Sequence, residues 1–281
     1  MSESQPSRPT LVLGATGKTG RRVAERLAAR GVPVRLGSRY AETPFDWDQP
    51  DTWGPVLQDV GSAYITYQPD LAIPGAAETV GDFAAQAADL GVNRLVLLSG
   101  RGEEGAQQGE KAVQSVGVDT TIVRSAFFFQ NFSESFLLDG VLSGAIVLPA
   151  GDVAEPFVDA DDIADVVVAA LTQDGHVGQV YEVTGPRLLT FGDTATEISR
   201  ATGREIAYVP LTPDDFAAGA LAEGVPEDTV DMLVELFAEV LDGHNGYLTD
   251  GVQRALGRPP RDFSLYAQDT AATGIWNPPT S

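Results

Sequence analysis

The sequence predicts an α/β protein: a parallel sheet flanked by helices, joined to a smaller and mostly helical carboxyl-terminal region. Three observations carry this. Short apolar runs alternate with single helix-like stretches over roughly the first 130 residues, the pattern of right-handed βαβ units. Glycines stand where those stretches should stop, at Gly31, Gly91 and Gly117. From Thr190 onward helix-like stretches dominate, and no Pro/Ser/Gly linker separates the two parts.

Taken in order, Thr10–Leu13 reads as a buried strand closed by Gly14. Residues 18–30 read as a helix with Val23, Ala24, Leu27 and Ala28 on one face. Val32–Leu36 and Ala63–Thr66 are the next strands, with a short strand expected between them, ahead of Asp46. A helix over 75–90, a strand over Arg94–Leu98, a helix over 106–116 and a strand over Thr120–Val123 follow. Beyond residue 130 the spacing predicts a helix over Phe132–Leu142, a strand over Ala145–Leu148, a helix over Asp161–Leu171 and a strand over Val180–Val183. Helices are then expected over 191–202, 212–223, 226–242 and 248–256.

The 281 residues are 43% hydrophobic and 21% charged, the composition of a chain that buries a core. The formal net charge of −22 repels nucleic-acid phosphates and anionic lipid, so neither is expected as a direct partner. Residues 1–40 go against this trend, carrying eight basic side chains and two acids, a net of +6; the remainder then holds −28. A positive segment in an acidic chain suits a small anion, or arginines that decorate an exposed helix. With no cysteine and only His176 and His244, no thiolate or His-rich metal site is expected. The polar start and the lack of a long apolar run lead to the expectation of a cytoplasmic protein.

Gly14-Ala15-Thr16-Gly17-Lys18-Thr19-Gly20 spaces glycines at i, i+3 and i+6, between a strand and a helix. In that context each glycine has a task. Gly14 permits the tight turn, Gly17 lets the backbone approach a pyrophosphate, and Gly20 lets the helix pack on the strand. The helix N-terminus then attracts the anion through unpaired N–H groups and its dipole. A Rossmann-like dinucleotide site follows, with Thr16, Lys18 and Thr19 among its contacts. The end of the next strand lacks the acid that binds a ribose 2′-hydroxyl; Ser38-Arg39 stands there instead, suited to a 2′-phosphate. NADPH is therefore expected over NADH. Asp46 is expected near the adenine as a loop residue. Residues 1–9 read as a disordered tail, 10–185 as the dinucleotide-binding domain and 186–281 as a substrate-side region.

The glycine turn, Gly37-Ser38-Arg39 and Phe45-Asp46-Trp47-Asp48 resemble the NmrA-like group of atypical short-chain dehydrogenase/reductases. So do Gly117–Asn131, Phe157–Ala164, Tyr181–Gly185 and Leu256–Pro260. The resemblance implies an NAD(P)-binding fold and reductases for quinone, azo or isoflavone-type acceptors. It also implies regulators that bind NAD(P) without turnover, and a non-redox enzyme on the same fold stays open as well.

Catalysis is less legible. The wider superfamily uses a Tyr-x-x-x-Lys pair, but the only lysines are Lys18 and Lys111, and no tyrosine lies between Tyr67 and Tyr181. Tyr67 and Thr66 end a strand beside the expected nicotinamide, Tyr67 being the best phenolic donor or a packing residue. Ser99 ends the next strand and either bonds a substrate oxygen or caps the strand. Lys111 completes the catalytic candidates, following Glu110 as in the related chains. Phe127, Phe128 and Asn131 are expected at the substrate, with one of the three consecutive phenylalanines in the core. Asp159, Asp161 and Asp162 read as helix-capping acids rather than metal ligands. His176 and His244 fall in turns. The expected partner is a small aromatic, quinone-like or enone molecule, and at most a second copy of the chain.

Overall fold

The computed structural model describes residues 8–278; most of the tail expected at residues 1–9 lies outside them. In chain order the elements are β1 (Thr10–Leu13), α1 (Lys18–Ala29), β2 (Val34–Gly37), α2 (Trp53–Leu57), β3 (Ser62–Ile65), α3 (Ala76–Asp89), β4 (Arg94–Gly100), α4 (Glu104–Gln114) and β5 (Asp119–Ser125). Next come α5 (Asn131–Glu134), α6 (Leu138–Ser143), β6 (Ala145–Leu148), β7 (Ala154–Glu155), α7 (Ala160–Thr172), β8 (Val180–Val183) and β9 (Leu189–Thr190). The chain ends with α8 (Phe191–Thr202), β10 (Ala207–Pro210), α9 (Pro213–Ala222), α10 (Glu227–Val240), α11 (Gly251–Leu256) and α12 (Phe263–Ala272).

The described chain forms two compact units that interleave in sequence, where the sequence reading drew one cut at 185. The first holds residues up to Ser125, Ala160–Val183 and Asp250–Arg258. Its six strands run parallel in the order β2-β1-β3-β4-β5-β8, with Val12 of β1 opposite Leu36 of β2 and Tyr64 of β3. Most residues of these strands are buried, because helices cover both faces of such a sheet. One layer of the core is built from Leu11, Leu13, Ile65, Leu95 and Leu97 of the strands with Val80, Phe83 and Val113 of the helices. The strand order reverses between β1 and β3, which opens a crevice at their carboxyl ends.

α7 belongs to this unit although it follows part of the second, and ion pairs help explain why. The arginines of α1 were expected to be solvated; instead Arg22 and Arg26 reach α7. Arg22 Nε donates to Asp161 at 3.1 Å, while Arg26 donates to Asp161 at 2.6 Å and Asp165 at 2.7 Å. Arg258 takes Asp162 and Asp165, each at 2.6 Å. The acids read as helix caps are thus engaged by arginines. Burial alone would push Asp161 up, but Arg26 and Arg22 outweigh it and hold its carboxyl below the ordinary value. A depressed folded-state pKa stabilises the fold above the unfolded value of about 4 and is lost as pH falls through the folded one. Asp161→Asn should therefore lower the denaturant midpoint at pH 7 and flatten its fall below pH 4, read by urea unfolding from pH 3 to 7.

The second unit holds Ala126–Asp159, Thr184–Thr249 and Pro259 onward. Its core is aromatic, with Phe129, Phe132, Phe157, Phe191, Phe263 and Trp276 all fully or almost fully buried. Two expectations change here. The single helix over 132–142 is two short helices, because Ser135 is extended between α5 and α6. The helix α12 was missed; its N-cap, Asp262, accepts the Ser264 N–H. Within the first unit, no strand forms ahead of Asp46, where residues 40–49 are turns and coil. His176 is also not in an exposed turn: it is 7% exposed, with Nδ1 2.8 Å from the Tyr181 hydroxyl. Gly175 and Gly178 do make the turn, but the ring folds back onto the sheet.

Candidate functional site

The crevice at the carboxyl ends of β1 and β3 begins with the glycine turn. Gly14 has φ +59°, and a Cβ there would lie 2.5 Å from Thr66 Oγ1. Gly17 donates its N–H to Gly14 O at 2.8 Å and stands at the N-cap of α1 with extended backbone. No side chain caps α1 there and no acid sits in its first turn, so its N–H groups and positive dipole end face outward. A Cβ on Gly20 would lie 2.1 Å from Gly14 O and 3.0 Å from Leu13 O; only glycine lets α1 start this close to β1. Gly14, Thr16 and Gly17 are exposed. The Thr19 hydroxyl is turned inward instead, accepting from the buried Tyr64 hydroxyl at 3.0 Å.

The loop after β2 forms the next wall. Ser38 O accepts the N–H groups of Ala41 and Phe45, which curls the loop back. Arg39 is exposed and makes no hydrogen bond or ion pair among the described residues. Tyr40 beside it is 90% exposed, a large apolar ring left in water. Asp46 organises its own loop: its carboxylate accepts from Asp48 N and Gln49 Nε2, and its carbonyl accepts from Trp53 Nε1 at 2.9 Å. Trp47 Nε1 donates to Thr66 O at 3.1 Å, tying this loop to the end of β3.

The three catalytic candidates are not assembled. Tyr67 is half-buried with its ring 5.0 Å from that of Trp47, a packing position. Ser99, 3% exposed, gives its hydroxyl to Glu110 at 2.6 Å. Lys111 lies exposed on α4 and meets neither Ser99 nor Tyr67. The residues that do converge are Ser99, Glu110, Arg124 and Glu182. Arg124 grips Glu110 with Nε at 2.7 Å and Nη2 at 2.6 Å, and reaches Glu182 at 3.3 Å. Sequence reasoning missed this network, although Glu110 on the apolar face of α4, against a strand ending in Arg124, was its one visible signal.

In the second unit, Phe127 is half-buried with ring centroids 5.7 Å from Phe157, 5.6 Å from Phe191 and 6.3 Å from Phe136. Phe128 is half-buried and pairs through its backbone with Val158. Phe129 is the core member of the three, 1% exposed. Asn131 opens α5, and its carbonyl accepts from Leu137 N.

No family model matches the chain. A curated relative from Streptomyces griseus, (4-alkanoyl-5-oxo-2,5-dihydrofuran-3-yl)methyl phosphate reductase, is 32% identical over 93% of this chain and 97% of its own length. The NAD(P)H azoreductase of Xenophilus azovorans is 29% identical over 93% of this chain and 98% of its own. Among solved structures, NmrA, a negative transcriptional regulator in complex with NAD, superposes with a TM-score of 0.70 at 17% identity, covering 96% of this chain and 99% of that one. The chain belongs to the NmrA-like group of atypical short-chain dehydrogenase/reductases. Among the described residues of this NmrA-like chain, no helix is long and apolar enough to cross a membrane.

Proposed function

We propose that this NmrA-like chain is an NADPH-dependent reductase that transfers hydride to a small aromatic, quinone-like or enone acceptor. The carrying observation is the glycine turn: Gly20 lets α1 start against β1, which sets an uncapped helix N-terminus beside the exposed Gly14 and Gly17. Its residues fit the dinucleotide. Gly14, Gly17 and the first N–H groups of α1 would hold the pyrophosphate, with Lys18 near it. Arg39 would take the 2′-phosphate in a bidentate contact, and Tyr40 would offer its ring to the adenine. Thr66, joined to Leu13 O and to Trp47, closes the crevice on the β3 side. When bound, NADPH supplies a hydride from its nicotinamide ring.

Phe127, Phe128 and Asn131 are the substrate contacts we propose, since an apolar wall with one amide suits a flat carbonyl-bearing acceptor. Ser99 is a positioning residue in this reading, because its proton is committed to Glu110. A reductase of this kind, without cysteine and strongly acidic, fits the cytoplasm and has no call on nucleic acid.

The test is selective loss of one cofactor. Arg39→Ala should weaken NADPH binding by about 2–3 kcal/mol, roughly 30- to 160-fold, and leave NADH binding within twofold. Fluorescence titration of both cofactors reads this directly. Equal loss for both would remove the 2′-phosphate assignment, and no NADPH oxidation across a quinone, azo and enone panel would remove the reductase.

A further inference from the structure

NADPH differs from NADH by one phosphate, so a preference between them depends on how Arg39 is placed to take that phosphate. Arg39 does not place itself: it is exposed and makes no hydrogen bond or ion pair among the described residues. Its position is set by the loop that carries it, and two ties join that loop to the glycine turn.

The first tie is at the base of the loop. Ser38 O accepts the Ala41 N–H at 3.2 Å and the Phe45 N–H at 3.0 Å, which closes residues 38–45 into a ring with Arg39 on it. Ser38 Oγ accepts the Tyr40 N–H at 3.3 Å. This base meets the turn where Ala15 N–H donates to Gly37 O, a long bond at 3.5 Å.

The second tie is Trp47. Phe45 closes the ring and is 4% exposed, and its side chain lies 4.9 Å from the Trp47 ring, centroid to centroid. Trp47 Nε1 donates to Thr66 O at 3.1 Å. Thr66 is itself fixed to the turn: its Oγ1 donates to Leu13 O at 3.4 Å and stands 2.5 Å from where a Gly14 Cβ would be. The indole is held edge-on by Phe83 of α3 at 5.2 Å and by Trp53 at 5.8 Å, with Tyr67 at 5.0 Å. Trp53 Nε1 donates to Asp46 O at 2.9 Å and steadies the residue before it. A phenyl ring would meet these aromatic neighbours as well. What the indole adds is the N–H that spans from the Arg39 loop to the end of β3.

We propose that Trp47 is the positioning residue behind the NADPH preference: its N–H fixes the Arg39 loop against the glycine turn. This rests on the reading of Arg39 as the 2′-phosphate ligand. A bidentate guanidinium–phosphate contact aligns two N–H groups at once, so a loop displaced by about 0.5 Å loses one of them. The pyrophosphate is held differently, by Gly14, Gly17 and the N-terminus of α1. That turn keeps its own Gly17 N–H to Gly14 O bond whether or not Trp47 is tied. Loss of the indole N–H therefore acts on NADPH and spares NADH.

The test is a double-mutant cycle on cofactor affinity. Trp47→Phe keeps a ring in place and removes the N–H. It should raise the Kd for NADPH about tenfold and leave that for NADH within twofold, by fluorescence titration of both. NADH binding also reports that the crevice has folded. In an Arg39→Ala background the same change should weaken NADPH by less than twofold, because the contact it positions is already gone. Trp47→Tyr, which also lacks the indole N–H, repeats the comparison should Trp47→Phe not fold. Equal loss of both cofactors, an unchanged NADPH Kd, or a further tenfold loss in the Arg39→Ala background would each overturn the role of Trp47 alone. Arg39→Ala measured by itself separates the two readings: if it weakens NADPH and NADH equally, the 2′-phosphate assignment falls and Trp47 with it.

Discussion

Arg124→Met is expected to cost about 3–5 kcal/mol of stability, the largest single effect outside the hydrophobic core. The reason is what it leaves behind. Glu110 is 3% exposed and its two oxygens are both committed, one to Arg124 Nη2, the other to Arg124 Nε and to the Ser99 hydroxyl. Without the guanidinium the carboxylate keeps one neutral hydrogen bond and no opposing charge. Glu182 cannot relieve it, being an acid itself, which Arg101 also contacts at 3.5 Å. The distinction from simple loss of packing comes from a second change: Arg124→Met with Glu110→Gln should recover more than half of the loss, since the amide is neutral and still accepts from Ser99. Guanidinium midpoints at pH 7 for the two singles and the double measure this. A loss below about 1 kcal/mol in Arg124→Met would mean that solvent reaches Glu110 and that the network does not hold the sheet edge.

That network also shows why parts of this protein were hard to read in the sequence. Ser99, Glu110, Arg124 and Glu182 come from β4, α4, β5 and β8, and they become neighbours only once the strand order is known. The same holds for Arg22, Arg26 and Arg258 against Asp161, Asp162 and Asp165, in which part of the acid excess is neutralised. The glycine turn was legible because its constraint is local: Gly14, Gly17 and Gly20 answer to each other within seven residues. Thr10–Leu13, Ala145–Leu148 and Val180–Val183 were found to the residue, each a compact apolar run with a turn residue close by. The break between α5 and α6 and the helix α12 were not, because side-chain capping and an extended serine leave little mark on hydrophobic spacing.

The turn itself supports the second large expectation. Gly20→Ala should abolish measurable binding of NADPH and NADH alike and lower the melting temperature of the cofactor-free protein. The added Cβ would lie 2.1 Å from Gly14 O and 2.6 Å from Gly14 C, which are backbone atoms with no rotamer to yield. Relief requires α1 to move off β1, at about 1–3 kcal/mol for overpacking, and that motion carries the N–H groups of the anion site with it. Gly17 makes a useful contrast. Its φ of −83° is ordinary for any residue, and its Cβ would stand 3.2 Å from Gly14 O, so Gly17→Ala should fold nearly as well as the wild type. A larger side chain there, as in Gly17→Leu, should instead block the pyrophosphate without unfolding the turn. Thermal-shift titrations separate the cases, since a ligand that binds only the native state raises the melting temperature. Gly20→Ala should start low and not respond to either cofactor. Gly17→Leu should start near the wild type and fail to respond, while Arg39→Ala should respond to NADH as the wild type does and lose much of its response to NADPH. A Gly20→Ala protein that binds both cofactors normally would show that α1 can shift without losing its hold on the dinucleotide, and the phosphate site would then have to lie elsewhere along the crevice.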